Sequence, residues 1–219
     1  KLPKAQRLPS VGAYGIATRG QEVVVANEDG TVNWHDLTTN KLKFPYVETR
    51  GKPAKLLFSQ DGRKLLGVGS ASVQIWDSST GRSMFQLLIA HVREITAVTT
   101  APGDTTKPWT FATGDEGGNI KVWDVRANPE DGKALVVKER PTFSGVSDPI
   151  RSLSFTADGR TIASGGADRL VRLWDPELGQ ERASLTGHSD GVLLTAFRTD
   201  IGLFSVGREG IARWWRGPK

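Results

Sequence analysis

Three histidines, His35, His91 and His188, are the side chains best placed by type for metal binding or proton transfer near neutral pH. They lie far apart in the chain and share no metal-ligand spacing, so no metal site is expected. Adjacent carboxylates occur at Asp115–Glu116 and Glu130–Asp131. Such neighbours in turns are ordinarily solvated, whereas a glycosidase-type hydrolase needs two carboxylates facing each other across a cleft. No GxSxG is present, and the glycine-rich GGNI at 117–120 and SGGAD at 164–168 read as β-turns, not phosphate loops opening a helix. A Ser-His-Asp triad requires convergence that spacing alone does not establish. The absence of cysteine removes disulfides, thiolate metal sites and thiol nucleophiles. No cofactor is expected.

Charge offers a second kind of chemistry. Residues 1–64 hold 11 basic against 6 acidic residues and account for the whole net charge of +5. The densest stretch contains Lys41, Lys43, Arg50, Lys52, Lys55, Arg63 and Lys64, with only Glu48 and Asp61 among them. An electropositive sector of this kind attracts nucleic acid or an acidic partner, or simply keeps the surface solvated. No aromatic residues interleave with these charges as a base-stacking platform would require.

The positioning elements come from a repeat. Five segments align: DGTVNWHD at 29–36, SASVQIWD at 70–77, GGNIKVWD at 117–124, DRLVRLWD at 168–175 and EGIARWWR at 209–216. His35, Trp76, Trp123, Trp174 and Trp215 occupy one equivalent position. Trp34 and Trp214 instead align with Ile75, Val122 and Leu173. Each segment alternates apolar and polar residues, the period of a half-buried strand. Upstream, FSQDGRKLLGVG at 58–69 and FTADGRTIASGG at 155–166 place apolar runs on either side of Asp-Gly, a hairpin signal. Downstream, DSSTGR and DPELGQ mark another turn before a further apolar run. One unit is therefore four short antiparallel strands, and stacked units bury one another's faces. The 219 residues, 37% of them hydrophobic, are enough for a real core, and no apolar run approaches the roughly 18 residues of a membrane span, so no membrane insertion is expected. The Lys1 start without an apolar leader implies that the true start is missing, cleaved off or part of a longer protein.

These residues resemble the Trp-Asp (WD) repeat β-propeller family, most closely at GADRLVRLWDPELG (166–179) followed by LTGHSDGV (185–192). The resemblance implies an all-β propeller of four-stranded antiparallel blades. The expected blades are 11–47, 52–89, 91–143, 147–186 and 188–216, with a strand at 4–9 closing the last one to make a single domain. It also implies a structural set of loop His, strand Ser/Thr, turn Asp and strand Trp. Carried over, these are Trp76, Trp123, Trp174 and Trp215; Thr113, Ser164 and Ser205; Asp29 and Asp168; and His91 and His188. The turn position in the third unit reads Gly117 and in the fifth Glu209, so no unit is expected to hold the complete set.

The family's docking face is formed by the loops before the first strand and between the second and third. That places Tyr14, Arg93, Glu94, Asp115, Glu116, Asp148, Arg151, Arg169, Arg208 and Glu209 as candidate partner-binding residues. Two polar insertions, 101–110 and 126–133, fall on the opposite face of blade 3, where Trp109 would be either an exposed anchor for a neighbour or a lid folded back on the domain. The expected function is a non-catalytic scaffold for protein–protein interaction. The alternatives are a polyanion-binding module using residues 41–64 and a hydrolase with carboxylates near the axis.

Overall fold

Alternation of apolar and polar side chains, broken by turn residues, builds nineteen strands and no helix among the described residues. The computed structural model describes residues 12–45, 47, 49–50, 52–103, 108–130, 134–143, 146–198 and 202–216. Blade 1 contains β1 (Ala13–Arg19), β2 (Glu22–Asn27), β3 (Val32–Asp36) and β4 (Lys41–Leu42). Blade 2 contains β5 (Lys55–Phe58), β6 (Lys64–Val68), β7 (Val73–Asp77) and β8 (Ser83–Leu87). Blade 3 contains β9 (Ile95–Thr100), β10 (Trp109–Asp115), β11 (Ile120–Ala127) and β12 (Leu135–Glu139). Blade 4 contains β13 (Ile150–Phe155), β14 (Ile162–Gly166), β15 (Val171–Asp175) and β16 (Gln180–Leu185). Blade 5 contains β17 (Val192–Arg198), β18 (Gly202–Gly207) and β19 (Ala212–Trp215), three strands among the described residues. Each sheet runs in simple up-and-down order.

Turn chemistry fixes the hairpins. In the turn between β5 and β6, Asp61 accepts the Ser59 hydroxyl at 2.6 Å and the Arg63 amide at 3.0 Å. Asp158 repeats this between β13 and β14 with Thr156 and Arg160. Gly62 and Gly159 take the positive φ that such turns need, 67° and 69°. At the next bottom turn Asp36, Asp77 and Asp175 each cap the amides two and three residues on. Arg182 and these amides hold the Asp175 carboxyl down to about 2.

The blades stack in chain order through their first strands, β1 on β5, β9 on β13 and β13 on β17, with β5 also reaching β9. Between blades the core is apolar. Val24, Ala26 and Trp34 of blade 1 meet Leu56, Leu65 and Trp76 of blade 2. Leu66, Val68 and Ile75 meet Phe111 and Trp123 of blade 3. Ala112, Ile120 and Val122 meet Leu153, Ile162 and Trp174 of blade 4. Ala163 and Val171 meet Val192, Leu203 and Trp215 of blade 5. Each strand tryptophan thus faces the blade before its own. Gly165 lets blade 5 approach, since a β-carbon there would lie 2.4 Å from Val192. Trp34, one position out of register, faces forward instead and packs edge-on against Phe44 and Phe58. Among the described residues no extended packing joins blade 5 to blade 1, and the closing strand expected at 4–9 lies outside them.

Candidate protein-docking face

A buried polar chain frames each loop pair in blades 3 and 5. The Trp123 indole N–H donates to Thr113 Oγ1 at 2.9 Å, Thr113 contacts His91 Nε2 at 2.7 Å, and His91 Nδ1 lies 2.8 Å from Asp115 Oδ2. An ionised Asp115 only accepts, so His91 carries its proton on Nδ1 and at Nε2 accepts a hydrogen bond from the Thr113 hydroxyl. Burial pushes the His91 pKa down, and the Asp115 carboxylate only partly opposes it. Burial alone would raise Asp115, but hydrogen bonds from Asn119 and His91 outweigh it and hold the carboxyl below its ordinary value.

Blade 3 therefore holds the complete set, contrary to the expectation from register. The carboxylate comes from Asp115, two residues before Gly117, and bonds back to the Gly117 amide at 2.8 Å. Asp115 is 1% exposed, which corrects its placement as a partner-binding residue. Blade 5 repeats the chain with Trp215 on Ser205 at 2.8 Å, Ser205 on His188 at 2.7 Å, and His188 Nδ1 bonded to Glu209. Glu209 is thereby engaged inward, not offered to a partner. In blade 4 Trp174 donates to Ser164 at 2.8 Å, while Asp168 holds Arg172 and the Leu170 amide. Asp29 caps its own turn through Thr31.

In blades 1, 3, 4 and 5 one backbone hydrogen bond stitches the two docking loops together. The Glu28 amide donates to the Gly12 carbonyl, Glu116 to Glu94, Ala167 to Pro149 and Arg208 to Gly191, at 2.8–3.2 Å. The first strands carry bulges beside these stitches, between Ala13 and Gly15, Ile150 and Ser152, and Val192 and Leu194. A bulge re-aims the residue within it. Arg151 and Leu193 occupy the last two of these positions, and the Tyr14 side chain lies outside the described residues. Arg93, Glu94, Glu116, Asp148, Arg151, Arg169 and Arg208 are all exposed. The stitches bring Glu94 beside Glu116, and place Arg208 and Arg169 on the matching loops of blades 5 and 4.

Trp109 does not serve as an exposed anchor. It begins β10, is 8% exposed and packs against Phe111 with ring centroids 5.8 Å apart. The apolar Trp-Thr-Phe sequence continues the strand period, a signal that the repeat break at 101–110 masked.

The basic stretch is divided. Lys52 sits against Gly30, at the opposite end of β3 from Lys41, and Arg63 lies at the far end of β5 from Lys55. Lys43 is held by Glu22 and the Ser78 carbonyl, and the Lys55 ammonium by the Ile95 carbonyl at 3.2 Å. Burial pushes the Lys55 pKa down. No axial pair of carboxylates is seen among the residues raised for a hydrolase. Glu116 and Glu130 are exposed, and Asp131 lies outside the described residues. A cleft of about 420 Å³ between the outer strands of blade 3 and the Glu177 turn is lined by Asp124 and Glu177, but both pair with Arg140.

The model of the WD domain, G-beta repeat, matches residues 82–124 and 138–175, which cover the third and fourth aligned segments. The chain carries WD repeats at these two segments. The all-β sheets described above are its propeller-type blades, and at family level WD repeats form protein-interaction scaffolds that are generally non-catalytic. Among curated relatives, rat apoptotic protease-activating factor 1 is 24% identical over 216 residues, 98% of this chain and 16% of that protein. Rat telomerase protein component 1 is 24% identical over 94% of this chain and 9% of its own length. The nuclear distribution protein PAC1-2 of Uncinocarpus reesii is 27% identical over 90% of this chain and 44% of its own. The WD-repeat chain thus spans less than half the length of these relatives.

Proposed function

We propose that this chain is a non-catalytic scaffold, one propeller domain of a larger protein or assembly, and that it presents the stitched loops of its blades to protein partners. Arg169 is the observation that carries this reading. In the sister turns of blades 1, 3 and 5 glycine takes the left-handed position, with Gly30, Gly118 and Gly210 at φ of 88°, 81° and 80°. Blade 4 places Arg169 there at φ of 67°, exposed on the docking face. A residue with a β-carbon costs about 1–2 kcal/mol in this conformation. Strain kept at an exposed guanidinium, a side chain favoured at interface centres, supports a contact role. The relative named as a telomerase protein component is by that name part of an assembly, which agrees.

The test is affinity capture from native extract with quantitative mass spectrometry, comparing the wild-type chain with Arg93→Glu/Arg151→Glu/Arg169→Glu. Loss of specific partners by a triple variant that still melts cooperatively is expected. An unchanged partner set would remove this face from the account.

A further inference from the structure

The loop that leads from β8 into β9 holds three large apolar side chains out to solvent. Leu88, Ile89 and Val92 are 55%, 75% and 96% exposed and fall within one short segment. Single exposed apolar residues are ordinary on a protein surface, whereas a contiguous group marks a contact. The backbone beneath them is fixed. Ala90 and His91 are buried, the Ala90 amide donates to the Ala71 carbonyl at 2.7 Å, and the Ile95 amide donates to the Ser70 carbonyl at 2.6 Å. Both ring nitrogens of His91 are engaged, by Asp115 and Thr113. The loop has no slack with which to turn the three side chains inward.

The matching loop of blade 5 shows that the lock does not need them. His188 makes the same contact with Ser205 and takes Glu209 where His91 takes Asp115. Around His188 the positions of Ile89, Val92 and Arg93 are filled by Thr186, Ser189 and Asp190, all exposed. The apolar surface of blade 3 is therefore an addition to the lock, not a part of it.

The border of this surface carries both signs of charge. Arg93 follows Val92 and leans over the turn between β10 and β11, where a β-carbon on Gly117 would lie 2.9 Å from its Cδ. Glu116 sits in that same turn. Its neighbour across the stitch, Glu94, acts electrostatically on Lys55. Arg93 and Glu116 are exposed, and neither forms an ion pair among the described residues.

We propose that this patch joins two copies of the chain in a weak, reversible dimer. In a two-fold contact the same surface meets itself, so every pair occurs twice. Leu88, Ile89 and Val92 of the two copies pack together, and Arg93 of each copy pairs with Glu116 of the other. A patch bordered by one sign of charge repels its own copy, whereas one bordered by both signs complements it. A patch this small belongs to the transient end of protein contacts. The inference goes beyond the docking of other proteins and shares only the blade 3 loops with it.

Sedimentation velocity of the full chain, from micromolar to millimolar, tests it. A concentration-dependent exchange between monomer and dimer is expected. Ile89→Thr/Val92→Ser installs the residues that blade 5 already holds beside its own locked histidine. That variant should stay monomeric and melt as the wild type does at low concentration. Arg93→Glu and Glu116→Arg should each weaken dimerisation at least tenfold. An equimolar mixture of these two variants should recover it, because both cross-pairs then join opposite charges. A wild-type chain that remains monomeric at millimolar concentration overturns the proposal. So does a dimer that survives Ile89→Thr/Val92→Ser, or a mixture of the charge variants that stays monomeric. The charge exchange decides the matter even where the apolar variant proves less stable. Such a failure leaves the partner-docking reading standing, because Arg151 and Arg169 lie outside this patch.

Discussion

His91 Nδ1 lies 2.8 Å from Asp115 Oδ2, with both side chains withdrawn from solvent. This pair anchors the loop before β9 to the turn after β10 and ends a chain of hydrogen bonds that begins at the Trp123 indole. Arranged around a catalytic serine, the same residue types would suggest a hydrolase. Here Thr113 faces the indole of its own blade, and the chain locks a sheet.

Thr113 joins two buried partners, while Ser164 serves Trp174. Leaving a buried donor or acceptor unpaired costs about 1–3 kcal/mol. Thr113→Val should therefore destabilise the chain by about 2–4 kcal/mol and Ser164→Ala by about 1–2. Urea unfolding followed by tryptophan fluorescence checks the order. Equal costs below 1 kcal/mol would show that the chain contributes little.

Acid should weaken the fold first through His91. Its folded pKa is lowered by burial, so the unfolded chain takes up a proton near 6.5 while the folded chain still excludes it. Stability is then complete above that value and falls as pH drops below it. Asp115, also lowered, adds a second loss further down, below its ordinary 3.8. Melting temperatures between pH 7.5 and 5 should decline, and the decline should shrink in His91→Gln. An identical slope in that variant would remove His91 as the cause.

Arg169→Gly should raise stability by about 1 kcal/mol, since glycine adopts a φ of 67° without a β-carbon clash. The same variant should bind partners more weakly. A gain in stability with unaltered partner recovery would separate the strain from recognition.

Trp109→Ala should cost about 3–5 kcal/mol, the penalty for emptying an aromatic site beside Phe111. A change under 1 kcal/mol would return Trp109 to the surface role suggested by its place in a polar insertion.

Register alone placed the strands, because a period of two and Asp-Gly turns are local signals. The aligned tryptophans marked one equivalent position per sheet; that this position meets the preceding blade emerges only from the packing. What stayed hidden was position in depth. Asp115 reads as a solvated turn acid beside Glu116, yet the Gly117 amide, Asn119 and His91 hold its carboxylate inward. A turn that folds its own acid back onto the sheet leaves no mark in composition. Trp109 was obscured in the same way, because the insertion that precedes it breaks the repeat and hides the strand it begins.

Hydrogen exchange on the chain bound to a captured partner tests the central claim most directly. Protection is predicted at 91–94, 116–118, 147–151, 167–170 and 208–211, where the stitched loops lie. Protection confined to the opposite turns at 59–63, 77–81, 156–160 and 175–179 would contradict it.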